Sequence, residues 1–205
     1  MDTSKNLKEK TDQQSKLLEQ RRQFFHAIVG VLIVIIFYYD LISLWLFFAV
    51  VLTAIVLYIS WKDGAQPIIQ WFFRNFEREQ EKRGTGALWY VIGCFLTIIL
   101  FPKNIAFAAL MILALGDSVS HYVGRFYGKI PHPLNKKKNV EGTIAGIITG
   151  FLGAVIFVPN ATALLASAIV MNVEVVQWKI GNDNVNDNFW IPLVAGGIMY
   201  LISLF

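Results

Sequence analysis

The chain has 205 residues, 56% of them hydrophobic and 16% charged, with a formal net charge of +4. Soluble domains are about 45–50% apolar and about 25% charged, so the composition excludes a soluble globular enzyme, a disordered chain and a disulfide-stapled secreted scaffold. A single cysteine, Cys94, lies in an apolar block, which rules out an intrachain disulfide and speaks against a cysteine metal site. The positive charge is read as topology-setting and not as a nucleic-acid footprint, because Lys and Arg of multispan chains gather on cytoplasmic loops.

Residues 1–20 form a polar, lysine-rich arm to which the sequence assigns no chemistry, and no cleavable signal peptide is expected ahead of the first apolar block near Phe24. The remainder, 21–205, reads as one transmembrane catalytic domain. Seven apolar spans are predicted, near 24–39, 41–61, 87–101, 104–124, 142–158, 161–179 and 188–205, each close to the length that crosses a bilayer. Tight hairpins at Phe101-Pro102-Lys103 and Pro159-Asn160 join the third span to the fourth and the fifth to the sixth. Between the second and third spans, residues 64–82 mix Ile68, Trp71, Phe72 and Phe76 with Arg74, Glu77 and Lys82, the pattern of an amphipathic helix lying in the interface. The expected fold is therefore an all-α integral membrane protein of about seven spans plus one interfacial helix. A cytoplasmic N-terminus puts seventeen of the eighteen Lys and Arg inside, leaving only Lys103 outside, and leaves Asp40 as the single outer acid. Trp61, Trp71, Trp89, Trp178 and Trp190 fall near the cytoplasmic boundary, where an aromatic belt belongs.

Clustering of thirteen acids on one side has no topological cause, so chemistry is sought there, chiefly in the loop 116–142. Thirteen residues of helix, Asn104 to Gly116, rise about 20 Å, which sets Asp117 at the cytoplasmic headgroup level. An acid within the membrane, below that level, is costly and marks function by default. Asp117, His121, Gly124 and Gly128 recur at i, i+4, i+7 and i+11 and share a helix face; the two glycines leave room for a ligand or for another helix. Glu174 sits at the same depth by the same count. Two carboxylates at matched depth can share a divalent cation, and magnesium takes carboxylates together with substrate phosphates. Glu141 opens the fifth span, and Asp187 and Asn188 open the seventh. Both acids also suit a helix N-terminus. Arg125, Lys129, Lys136, Lys137 and Lys138 supply cations for a polyphosphate. Arg22 and His26 head the first span at i, i+4. Gly124 to Lys129 is one residue short of a Walker A loop and lacks its Ser or Thr, so a P-loop is rejected.

These elements resemble the CTP-dependent lipid-alcohol kinases, which include dolichol, phytol and farnesol kinases and a CTP-dependent diacylglycerol kinase. The similarity runs from about Arg21 to Leu193. It is carried by Arg21, Arg22 and His26; by Arg83-Gly84-Thr85-Gly86; by Gly116-Asp117-Ser118 with Gly124-Arg125 and Gly128; by Lys138 with Glu141-Gly142-Thr143; and by Glu174 with Asn186-Asp187-Asn188 through Ile191-Pro192. Where the family often has two acids before the closing Asn, this chain has Asn186 first. The resemblance implies transfer of the CTP γ-phosphate to a lipid hydroxyl with Mg2+, the acceptor being of polyprenol or dolichol, diacylglycerol, or phytol or farnesol type. It implies metal binding by Asp117 and Glu174, with Asp187 and Glu141 completing the shell or accepting the proton. Arg125, Lys129 and Lys138, with Gly124, Gly128, Gly142, Asn188, Arg22 and His26, would hold the nucleotide. The site would face the cytoplasm, at the plasma membrane of a prokaryote or the endoplasmic reticulum of a eukaryote. Two rivals are weighed beside it. A membrane cytidylyltransferase would use the same ligands but carries a closing signature absent here. A transporter or lipid scaffold would scatter its acids through the spans.

Overall fold

The computed structural model describes residues 2–60, 84–176, 179–180 and 183–205. Helix α1 (Asp2–Tyr38) is continuous for 37 residues, about 55 Å by helical rise, so the polar arm and the first apolar span form one rod. A turn through Asp40, whose φ of 51° is left-handed, leads to α2 (Leu44–Ile59), where Ser43 Oγ accepts from the Leu46 amide at 3.2 Å. This side-chain cap satisfies one of the donors that a helix start leaves open. Helix α3 (Thr85–Leu100) follows, then α4 (Lys103–Met111), a π-helical segment (Ile112–Asp117) and α5 (Ser118–Tyr127), which run on as one helix. An antiparallel hairpin of β1 (Pro131–His132) and β2 (Asn135–Asn139) delivers the chain to α6 (Val140–Ala154). Helix α7 (Asn160–Val175), a second small hairpin of β3 (Lys179–Ile180) and β4 (Asp183–Asn184), and α8 (Asp187–Ile202) complete the order. Pro102 and Pro159 stand at the starts of α4 and α7, positions where a fixed φ and a missing N–H cost nothing.

The all-α expectation holds, with the two proline hairpins where the sequence puts them. Among the described residues there are seven apolar helical segments. Gln13–Tyr38 and Lys103–Tyr127 are long and apolar enough to cross a membrane; the other five are shorter apolar helices. The interfacial helix at 64–82, with Trp61, Trp71 and Trp178, lies outside the described residues.

The α4–π–α5 helix is the centre of the bundle. Every residue from Ile105 to Ala114 is buried, as expected of a helix apolar on all sides. Helices α1, α3, α6 and α8 pack around α4, and α1, α6, α7 and α8 around the π segment. The contact with α6 is a seam of small residues. A methyl group at Gly142 would strike the backbone of Ser120 and Gly124, and one at Gly146 would strike Ser120 and the Gly116 carbonyl. Small residues bring helix backbones together where apolar burial gives no drive to associate.

Charge separates the two ends. Asp40 Oδ1 and Lys103 Nζ pair at 2.6 Å, both exposed. The buried acids Glu19, Asp117 and Glu174 lie at the other end, beside the β1–β2 hairpin.

Candidate active site

Asp117 ends the π segment and is 4% exposed; Glu174 lies near the end of α7 and is 1% exposed. His121, one turn beyond Asp117, joins them: its Nε2 is 3.4 Å from Asp117 Oδ1 and 3.4 Å from Glu174 Oε1. One ligating atom from each of the three lies within 4.8 Å of the others. Helix α1 adds His26, with Nε2 3.8 Å from Asp117 Oδ2 and its ring edge-on to Tyr90 at 4.3 Å. The Tyr90 hydroxyl donates to the His26 carbonyl at 3.2 Å, tying α1 to α3. Strand β2 brings Lys138, whose Nζ pairs with Glu174 Oε1.

Two carboxylates this close in a dry interior repel, and each loses its hydration. Lys138 offsets part of that charge. Asp117 Oδ1, Glu174 Oε2 and His26 Nε2 are buried without a hydrogen-bond partner among the described residues. Buried polar atoms are rarely left so, because each carries an uncompensated desolvation cost. Two such carboxylate oxygens fit a hard divalent cation, which takes oxygen ligands. Asp117 and Glu174 are the residues that would hold it.

Beside this cluster a cavity of about 260 Å³ is walled by Glu19, His121, Gly124, Arg125, Lys137, Lys138 and Asp187, with Ser120, Asn139 and Thr143. Of the residues singled out in the sequence, His121, Gly124, Arg125, Lys137, Lys138, Thr143 and Asp187 line it. The Arg125 Nη2 donates to Ser15 Oγ at 3.0 Å, which joins α5 to the arm. Asp187 Oδ1 accepts from the Trp190 indole at 3.2 Å. Asn186, where the resemblance expected an acid, caps α8 by accepting from the Asn188 amide at 3.1 Å.

The other singled-out residues are placed around the cavity and not in its wall. Glu141 accepts from the Lys129 amide at 2.9 Å and the Ile130 amide at 3.1 Å, so it binds the loop after α5 to the start of α6. The amide hydrogens of its own backbone, then of Lys129 and Ile130, hold its carboxyl below the usual carboxylate range. Lys129 enters that contact through its backbone. Gly142 is filled by the α5 backbone, and Gly128 ends α5 against the Asn139 amide, which donates to the Gly124 carbonyl at 2.7 Å. Asn188 donates to the Gly86 carbonyl at 3.1 Å, joining α8 to α3. Arg22 pairs with Glu19 at 2.7 Å.

Sequence reasoning missed Glu19. It is 3% exposed and takes hydrogen bonds from Arg22 and from Gln23 at 2.8 Å. The signal was present in the spacing: Glu19, Arg22, Gln23 and His26 fall at i, i+3, i+4 and i+7 on one helix face. His121 was read only as a member of its face, and the structure makes it the bridge between the two acids.

No family model matches the chain, and no solved structure matches it. Curated proteins do. CTP-dependent diacylglycerol kinase 1 of Eremothecium gossypii is 25% identical over 142 residues, covering 58% of this chain and 45% of that protein. A probable chloroplastic phytol kinase of Triticum aestivum is 26% identical over 151 residues, covering 67% and 50%. An uncharacterized protein of Methanocaldococcus jannaschii is 30% identical over 185 residues, covering 87% and 91%. The chain thus spans about half the length of the two named kinases and nearly all of the archaeal relative. It belongs to the family of CTP-dependent lipid kinases that contains the diacylglycerol and phytol kinases.

Proposed function

We propose that this protein is a multi-pass membrane enzyme that transfers the γ-phosphate of CTP to the hydroxyl of a lipid alcohol, at a site facing the cytoplasm. The observation that carries the reading is the buried pair Asp117 and Glu174, each with an oxygen unpartnered among the described residues, beside a cavity walled by Arg125, Lys137 and Lys138. Lys138 offsets only part of the charge of the two acids, a divalent cation would offset the rest, and the basic side chains beside them suit a polyphosphate. Relatives named for CTP supply the donor.

Seven apolar helical segments, outward residues such as Trp45 and Ile59, and the confinement of the buried acids to one end support a bilayer setting with seven spans. The acceptor is a lipid alcohol with a long apolar tail. Diacylglycerol and phytol come from the names of relatives, and polyprenols present the same head group.

Phosphoryl transfer asks a protein mainly to position groups and to neutralise charge. The lipid oxygen bonds to the γ-phosphorus, the bond from that phosphorus to the β–γ bridging oxygen breaks, and CDP leaves. Arg125, Lys137 and Lys138 hold the phosphates. Asp187, fixed by the Trp190 indole, takes the hydroxyl proton. Asp117 and Glu174 would hold a magnesium ion, which would supply positive charge beside the phosphate oxygens. His121 and His26 orient the Asp117 carboxylate.

The test is a product assay on the purified protein in detergent with magnesium. CTP labelled at the γ or the α position is offered with polyprenol, diacylglycerol and phytol. Label reaching the lipid from γ-CTP alone is the expected result, and the accepting lipid names the substrate. Label from α-CTP would replace the kinase reading with a cytidylyltransferase. Asp117→Asn is expected to lower transfer about a thousandfold while the protein stays monodisperse; near-normal activity would remove Asp117 from the site.

A further inference from the structure

Lys138 faces two ways. Its ammonium pairs with Glu174 Oε1, and the same side chain lines the cavity beside Arg125 and Lys137. The Glu174 side chain is fully buried, whereas that of Lys138 is 19% exposed. Lys138 thus connects the cavity to the buried carboxylate. Strand β2 is itself fixed to the end of α7, where the Asn135 side-chain amide donates to the carbonyl of Val175, the residue after Glu174, at 2.9 Å. With the strand held, the ammonium changes partners by swinging its flexible stem.

Glu174 suits two kinds of cation. Its Oε1 meets Lys138 and His121, while its Oε2 and Asp117 Oδ1 are buried without a hydrogen-bond partner among the described residues. A divalent ion on those oxygens would share one carboxylate with the ammonium, and like charges so close repel more strongly as the dielectric falls. The ammonium is the partner with somewhere to go. Of the carboxylates in the cavity wall, Glu19 is engaged by Arg22 and Gln23, and Asp187 by the Trp190 indole. A phosphate in the cavity is a further anion for a charge-assisted bond from Lys138. We propose that Lys138 competes with the divalent cation for Glu174, and that it gives up Glu174 to reach the phosphates as the nucleotide enters. The inference rests on the kinase reading above and adds an order to it. Lys138 acts as a positioning residue that makes Glu174 a good metal ligand only when a polyphosphate is present.

Metal binding decides this without any turnover. Mn2+, which suits the same oxygen ligands, is titrated into the full-length protein in detergent with no nucleotide, and the free ion is followed by electron paramagnetic resonance. Lys138→Met is expected to bind Mn2+ about tenfold tighter than the wild type or more, the effect of removing one like charge at close range. Lys137→Met removes a cation from the same wall but none from Glu174, and is expected to change the affinity by less than about threefold. A lysine that only supported the fold would weaken metal binding when lost, so an unchanged or weaker affinity in Lys138→Met overturns the proposal. Equal gains in both variants overturn it as well and leave only a diffuse positive field. A wild-type measurement serves where Lys138→Met does not fold. Mn2+ at a saturating concentration is expected to raise acetylation of Lys138 in a brief pulse of acylating reagent by about threefold or more, with Lys137 unchanged, as the metal shifts the ammonium off Glu174. No rise at Lys138 overturns the proposal. If Lys138→Met gains Mn2+ affinity while the product assay shows no γ-phosphate transfer, the competition stands and the kinase reading falls. If transfer occurs and no gain is seen, the kinase reading stands and the competition falls.

Discussion

Lys138 is the residue on which the two buried acids depend. Its ammonium meets a Glu174 that is 1% exposed, while Lys138 itself keeps a fifth of its side chain in contact with solvent. Removing one partner of a buried pair leaves an uncompensated charge, at a cost of about 3 kcal/mol. Lys138→Met is accordingly expected to lower stability in detergent by about that amount, read as a fall in the thermal midpoint. The double variant Lys138→Met with Glu174→Gln is expected to recover most of the stability and none of the phosphate transfer; a stable but still active double variant would show that Glu174 has no part in the site. Asp117 and Glu174 were legible because membrane depth is a count of residues at a fixed rise. Glu19 was not, because a charged arm ahead of a first span reads as a topology signal. Its burial depends on Arg22, Gln23 and the facing helix α5, which no local pattern states. Glu141 has the opposite history. Its position before Gly142 suggested chemistry, and its carboxylate is engaged by the amides of Lys129 and Ile130, a partnership set by the turn and not by the motif.

At the scale of elements, the glycines of α6 divide by what they touch. Gly142→Ala and Gly146→Ala would each push a methyl into the backbone of the central helix, and each is expected to cost about 1–3 kcal/mol and to lower activity by spreading the site. Gly197 in α8 has nothing within 4 Å of where a methyl would stand. Gly197→Ala is expected to be neutral or to stabilise by up to about 1 kcal/mol, since alanine is the better helix former. Melting curves of the three variants in one detergent check the contrast. The sequence left open whether Gly124 and Gly128 admit a ligand or a helix. Only the partner surface decides: Gly124 lines the cavity and faces Gly142 of α6, and Gly128 meets the Asn139 side chain. The all-helical class and both proline hairpins were readable, since apolar length and proline act locally. The π segment was not. Its slower winding alters the face on which Asp117 emerges, and counting at a constant angle from Asn104 does not reveal that.

For the whole molecule, the charge count made one further commitment, that Lys103 and Asp40 are the exceptions to an otherwise one-sided distribution. The structure joins those two to each other, at the end away from the buried acids. The pair is exposed and adds about 1 kcal/mol at most, so its replacement is harmless and useful. Cys94 is buried, which leaves a silent background for labelling. In intact cells or sealed vesicles, Asp40→Cys is expected to react with an impermeant maleimide from outside and Lys136→Cys only after permeabilisation. The reverse pattern would invert the orientation, and equal reactivity of both would reject a spanning topology. The walls of the cavity come from α1, α5, β2, α6 and α8, with Glu174 of α7 behind them. This has a consequence for the newborn chain. Asp117 leaves the ribosome 57 residues before Glu174 and 70 before Asp187, several seconds at about 5–20 residues per second. Through that interval the acid lacks its partner carboxylate and the full set of helices that pack on the π segment, α7 and α8 being last. A half-made chain therefore holds no finished pocket until the last helix is in place.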